Sequence, residues 1–349
     1  EWLTERKGQR VKTVFSRNVA EGNYDVASYI NNAALNERLK IYADDISQDG
    51  SILFLRSMNQ NKDSLYDEKS PIMIYRTLYR WFRYRLSVNY PDEPITQYTY
   101  FFDSQGSAKA EEMLARLDTG ISKVQVYDES AEKIMAQFPK KFSQDILDSL
   151  NEQKRRNEER HREEVPAIML RSHEGHSMYI LELHGEDISC KTLKFRHKHS
   201  PSLFSLGEES DGTIRLLDLL EVLLANSSNR VYVIDEVSRC LHPLLTKKFI
   251  SDFLELAIER DVQLIVTTHE SDLLDLDLLR QDEIGFVAKR EENGTSKVFG
   301  LGEFGARFDK RIRRAYLEGQ YGAIPKLVNE KPQNIATAQA TSQSTPSSI

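Results

Sequence analysis

The chain has 349 residues, 40% apolar and 29% charged, with a formal net charge of −7. That composition suits a globular protein of about two domain-equivalents with a sizeable core. The acidic balance argues against a general nucleic-acid coat. Two cysteines exclude a disulfide framework and a four-cysteine zinc site.

No stretch reaches the roughly 18 apolar residues of a membrane span. The first residues, Glu1-Trp2-Leu3-Thr4-Glu5-Arg6, hold no apolar leader segment. A reducing, cytoplasmic setting without a membrane partner is the expectation. The start lacks Met and opens inside a strand-like pattern, so it reads as a cut end.

In chain order, residues 1–18 read as a hairpin around Lys7-Gly8-Gln9. Helical spacing follows over 28–42, with a short apolar segment at 52–58. Ile72, Tyr75, Leu78, Tyr79, Phe82 and Leu86 then form one apolar stripe behind Pro71. Helical regions are predicted again over 111–117 and 130–138, and 151–164 reads as a solvent-facing helix end with mixed charge. Pro166 marks a return to strands. The runs 167–170, 178–181 and 193–195 predict an antiparallel meander, with His173-Glu174-Gly175-His176 as turn chemistry. Beyond it, a helix over 213–225, a strand over 231–234, a helix over 244–259 and a strand over 262–268 predict a parallel sheet buried on both faces. The last residues, mostly Ala, Thr, Gln and Ser, predict a disordered tail.

Three segments carry candidate chemistry. The strand Val231-Tyr232-Val233-Ile234 ends in Asp235 and Glu236, where ligands of open α/β sheets bind. Asp235 could hold a metal and Glu236 could polarise an attacking water. The plain alternative is an acidic strand end. Ser210-Asp211-Gly212-Thr213 precedes a Leu-rich helix. It reads either as an N-cap or as a corner where a hydroxyl, a bare glycine and a helix N-terminus receive phosphate. His269 follows the last strand, where it could reach a γ-phosphate or simply cap the strand. The three occur in the order Ser-x-Gly, Asp-Glu, His, each at an appropriate element end.

These residues resemble the signature, Walker B and switch-histidine motifs of ABC-type ATPases. More narrowly, Glu209–Thr213 with Arg215, then Ile234-Asp235-Glu236 and Leu241-His242-Pro243, resemble the abortive-infection class of bacterial anti-phage ATPases. The run Tyr316–Pro325 is similar to how that class ends. The resemblance is close over 166–327 and loose before it. It implies an α/β fold, an ABC-type ATPase head with a parallel sheet core, an antiparallel β-meander and a mainly helical insertion. The implied division is a hairpin of the first lobe at 1–20, the insertion at 21–165, the lobe with the three motifs at 166–330, and a tail at 331–349.

The resemblance further implies ATP and Mg2+ as cofactors, with Asp235 on the metal and Glu236 and His269 catalytic. Ser210, Gly212 and Thr213 would touch nucleotide held by a second head. Such heads form homo-oligomers on ATP and control an effector, a nuclease or toxin. Nucleic acid is a further candidate partner. Two departures stand out. His242 replaces an interface Asp of many ABC proteins, and no Gly-Lys dipeptide, hence no phosphate loop, occurs in the sequence. The rival reading is a non-hydrolysing scaffold of the same fold. A chromosome-structure head is a third, for which the insertion is too short to form a long coiled coil.

Other signals read more plainly. Arg76, Arg80 and Arg83, interleaved with Tyr75, Tyr79 and Trp81, could face an acidic partner or be a solvated helix face. Arg307, Lys310, Arg311, Arg313 and Arg314 read the same way. His197 and His199 lack an evident partner for metal binding and read as an exposed strand end. Asp275 and Asp277 are similar to the acidic pair of Toprim nucleases, but the chain after them is too short for such a domain and they read as an aspartate-rich helix start.

Overall fold

The computed structural model describes residues 1–26, 29–67, 69–95, 98–102, 104–159, 161–171, 176–224, 228–290, 293–304 and 312–324. The turn residues 173–175, the basic residues Arg307, Lys310 and Arg311, and the tail 331–349 lie outside them. The chain divides into two units, Glu1–Thr268 and His269–Ile349.

The first unit opens with β1 (Trp2–Lys7) and β2 (Arg10–Asn18), the expected hairpin, to which β3 (Asn23–Asp25) adds. Helices α1 (Ala33–Asp44), α2 (Phe54–Ser57) and α3 (Met73–Tyr84) follow. Asn32 caps α1 by accepting the Leu35 amide. Phe15, Phe54 and Tyr75 pack ring on ring at the centre of this part, with centroids 5.2 to 5.8 Å apart. Buried Arg17 ties the hairpin to the segment between α1 and α2. Its guanidinium donates to the carbonyls of Ile46, Asp49 and Ile52 and to the Glu1 carboxylate.

The helical stripe predicted through Leu86 stops two residues early. Leu86–Asn89 is a strand, β4, whose partner comes much later in the chain. Its Leu-Ser-Val alternation pairs there, and that pairing outweighs the local helical spacing. Next come α4 (Ser104–Arg116), β5 (Ile121–Glu129), α5 (Ala131–Met135) and α6 (Lys140–Glu159). Among the described residues, span 21–165 therefore contains three strands as well as six α-helices.

The meander forms as predicted, from β6 (Ala167–Arg171), β7 (Met178–His184) and β8 (Asp187–His197), all antiparallel. It is wider than expected. β5 pairs with β8 along its whole length, and β9 (Leu203–Ser205) adds to the end of β8. Ile146 and Leu150 of α6 cover one face, against Leu181, Leu183 and Cys190.

The α/β run forms with the predicted element order, α7 (Asp211–Leu224), β10 (Arg230–Ile234), α8 (Pro243–Ala257) and β11 (Val262–Val266), but its sheet is not buried on both faces, since Val88 and Ile265 are exposed. β10 pairs in parallel with both β11 and β4, giving the order β11-β10-β4. α7 is buried from Thr213 to Leu220 on every side, its Leu-rich sequence carrying Arg215 and Asp218 into the interior with it. Among the described residues, no helix is long and apolar enough to cross a membrane.

The second unit holds the antiparallel pair β12 (Gly285–Lys289) and β13 (Ser296–Gly300) and the short α9 (Ile312–Leu317). Phe286 stacks on Tyr316 and Tyr321, at 5.6 and 5.4 Å between centroids. Gly319 (φ +79°) turns the chain after α9. Asp275 and Asp277 start no helix. The Asp275 side chain instead accepts the Asp277 amide at 2.9 Å, closing a turn.

Candidate functional site

β10 delivers Asp235 and Glu236 to the C-terminal end of the parallel sheet. The Asp235 amide still donates to Asn89 O across β4 at 2.9 Å, so Asp235 is held by the sheet itself. Thr267, the residue after β11, joins the two acids. Its hydroxyl donates to Asp235 Oδ1 and accepts the Glu236 amide at 2.9 Å. Its backbone completes the bracket, with Thr267 N donating to Ile234 O and Thr267 O accepting from Val237 N. Glu236 is left-handed (φ +47°), a conformation non-glycine residues seldom adopt. The bracket from Thr267 is what holds it there.

Arg215, one turn into α7, supplies a second restraint. It is 6% exposed, and its guanidinium donates to Glu236 O at 3.2 Å and, more weakly, to Asp235 O at 3.4 Å. Burial pulls its pKa below the usual arginine value, opposed by the nearby Asp218 carboxylate. Asp218 in turn pairs with Arg171 of β6 at 2.8 Å, both side chains buried. Burial pushes the Asp218 pKa up, and Arg171 pulls it back down. Arg171 also lies over the Tyr98 ring, 4.1 Å from its centroid.

The segment 210–213 is an N-cap in this fold. Ser210 Oγ accepts the Thr213 amide at 3.1 Å and lies 3.0 Å from the Thr213 hydroxyl. Gly212 has a distinct reason to be glycine, because a Cβ there would sit 2.8 Å from Cys240 O. The first turn of α7 thus rests directly on the loop that follows Glu236. Glu209, just before the cap, meets His197 at the end of β8 at 2.8 Å. The fold thereby supplies His197 with a carboxylate neighbour that sequence spacing did not reveal.

Asp211, Arg215 and Asp218 of α7 face a cavity of about 370 Å3, closed by Pro91 and Asp92 after β4 and by Arg239 and Cys240. Arg239 forms an ion pair with Asp92. His242 caps α8, its Nδ1 accepting the Leu244 amide at 3.2 Å ahead of Pro243.

The structure therefore brings Asp235 and Glu236 together through Thr267, and Ser210 and Thr213 together at the cap. Arg215 and Gly212 connect the two groups. His269 is the first residue of the second unit. The bracketing role of Thr267 was not legible in the sequence, where 262–268 reads only as a strand. Nor was the role of Arg215, since a buried arginine inside a Leu-rich helix was a signal with no visible partner.

No curated protein matches the chain. Residues 121–277 match the family model described as "AAA domain, putative AbiEii toxin, Type IV TA system", a stretch that holds the meander, α7, β10, α8 and β11. The match supports an AAA/ABC-like ATPase domain over these residues, of a kind tied to toxin–antitoxin and abortive-infection systems, which implies nucleotide use, usually with Mg2+.

Proposed function

We propose that the chain carries the signature and acidic halves of an ATP site in an ABC-type head of the abortive-infection class. The observation that carries this reading is the Asp235–Thr267–Glu236 bracket at the C-terminal end of a parallel sheet, tied by Arg215 to the helix that Ser210 caps. Asp235 and Glu236 fit Mg2+, which is held by one or two carboxylates with water and phosphate oxygens completing its shell. When bound, the metal neutralises charge on the transferred phosphoryl group. Asp235 is the metal residue and Glu236 the base that takes a proton from the attacking water. His269 contacts the γ-phosphate in this scheme.

Ser210, Gly212 and Thr213 serve the nucleotide of a second head. The Ser210 oxygen accepts the Thr213 amide and, with the Thr213 hydroxyl turned to donate across their 3.0 Å contact, keeps its own O–H for a phosphate oxygen. Because β4 and β5 pair into the parallel sheet and the meander, the head takes in 86–89 and 121–129 as well as 1–20 and 166–330, the rest of 21–165 acts as the insertion, and head pairing governs a nuclease or toxin effector in the cytoplasm.

The rival reading is a scaffold of the same fold that binds an effector without hydrolysing ATP. Light scattering of the protein encoded by the complete gene separates the two. The ATPase reading expects Mg2+-ATP to convert monomers to dimers, and Ser210→Arg to block the conversion. A mass that ATP leaves unchanged supports the scaffold.

A further inference from the structure

A second feature lies at the other end of the parallel sheet. Arg85 precedes β4 and Arg230 opens β10, so both stand at the N-terminal edge, opposite Asp235. With Arg76, Arg80 and Arg83 of α3 they line one groove of about 1070 Å3, in which Asp63 is the only carboxylate residue among the described residues. Five guanidiniums against one carboxylate is a marked local reversal in a chain of net charge −7.

A solvated helix face does not explain it. This chain shows in α6 how it builds one: Arg155 and Arg156 are paired to Glu152 and Glu159 at i,i+3 and i,i+4 spacing. Helix α3 contains no acidic residue, and Arg76 and Arg80 stand at i,i+4, where like charges repel. Among the described residues, only Arg76 of these five has a carboxylate ion-pair partner, Asp63.

The groove is also aromatic. Tyr79, Trp81 and Tyr84 alternate with the arginines along its wall, and Tyr84 is 60% exposed. Arg83 already lies over the Tyr84 ring, 5.7 Å from its centroid. Arginine forks match phosphate oxygens in pairs, and open aromatic faces accept unpaired bases. The volume is at the upper limit of small-molecule pockets, about 300–1,000 Å3, which favours an extended polyanion over a single small anion.

We propose that this groove binds single-stranded nucleic acid, its phosphates on Arg80, Arg83 and Arg230 and its bases stacked on Trp81 and Tyr84. The site is separate from Asp235 and Glu236, so it stands or falls independently of the ATPase reading.

The chain has two tryptophans, and Trp2→Phe leaves Trp81 as the only indole. That protein is titrated at low salt with labelled oligothymidylate and oligouridylate, with a duplex of equal length and inorganic polyphosphate as comparators. The proposal expects saturable single-strand binding by anisotropy and a matching change in Trp81 fluorescence, tighter than for either comparator. Arg80→Glu with Arg83→Glu should weaken binding at least tenfold and reduce the salt slope by about 1.4, two single-strand phosphate contacts. Both arginines are exposed, so folding should survive, which far-UV circular dichroism checks. Trp81→Phe, read by anisotropy with unmodified Trp2, should weaken binding several-fold. Absence of binding, equal binding of polyphosphate with Trp81 unchanged, or affinity untouched by the charge reversals would overturn the proposal.

Discussion

Gly212→Ala probes the contact that joins the cap of α7 to the loop after Glu236. The added Cβ would lie 2.8 Å from Cys240 O, whereas ordinary contact begins at 3.4 Å. The helix and the loop must therefore separate by about 0.6 Å. The neighbour is backbone, which cannot swing aside as a long side chain can. Insertion of a methyl group into such a contact costs about 1–3 kcal/mol. The displaced loop begins at Glu236, and Arg215, which donates to Glu236 O, lies one turn along the same helix. Both halves of the proposed site should feel the change. Urea unfolding followed by tryptophan fluorescence is the assay, because Trp2 and Trp81 both belong to the first unit. Gly50→Ala is the control, since its Cβ would meet only Val19 Cγ1 at 3.9 Å. The two variants should differ by at least 1 kcal/mol. If Gly212→Ala is as stable as Gly50→Ala, the contact is not tight and the reasoning fails.

Other outcomes follow from the same geometry. Arg171→Met leaves the buried Asp218 carboxylate without its ion-pair partner, so urea unfolding should show a loss of about 3–5 kcal/mol at neutral pH. The loss should shrink in mild acid, because burial already raises the Asp218 pKa and protonation removes the unpaired charge. Thr267→Val removes the hydroxyl shared by Asp235 and Glu236 and should cost about 1–3 kcal/mol, with Thr267→Ser restoring it. Cys190 is buried, with its pKa pushed up to about 11 from 9.0 by that burial, while Cys240 is exposed. A thiol reagent near pH 8 should modify one cysteine per native chain and two after denaturation. The raised pKa also keeps the Cys190 contribution to stability intact below pH 9, and it should fade as pH rises from 9 towards 11.

The parts legible in the sequence are those with strong local patterns. The apolar run 231–234, the Leu-rich α7 and the Pro-initiated α8 identify themselves by composition and spacing. The hairpin around Gly8 and the core of the meander do the same. What escaped notice depends on distant partners. β4 is only four residues long and continues a helical stripe, and its pairing with β10 spans more than half of unit 1. β5 has a register shift between Ile121 and Lys123 and exposes Val126 and Tyr127 beside polar neighbours, so its alternation is faint. The Ser210 segment was visible as a cap or a phosphate corner. The fold shows the cap, but Gly212 against Cys240 could not be found from spacing, because the close approach exists only once α7 has packed.

The central claim is that Asp235 and Glu236 form a hydrolytic centre. Its most direct measurement is phosphate release from ATP and Mg2+ by the protein encoded by the complete gene, compared with its Glu236→Gln variant. Glu236→Gln should keep ATP binding and lose turnover by at least about a hundredfold, the scale of a lost general base. A Glu236→Gln protein that hydrolyses ATP at the unaltered rate would contradict that claim.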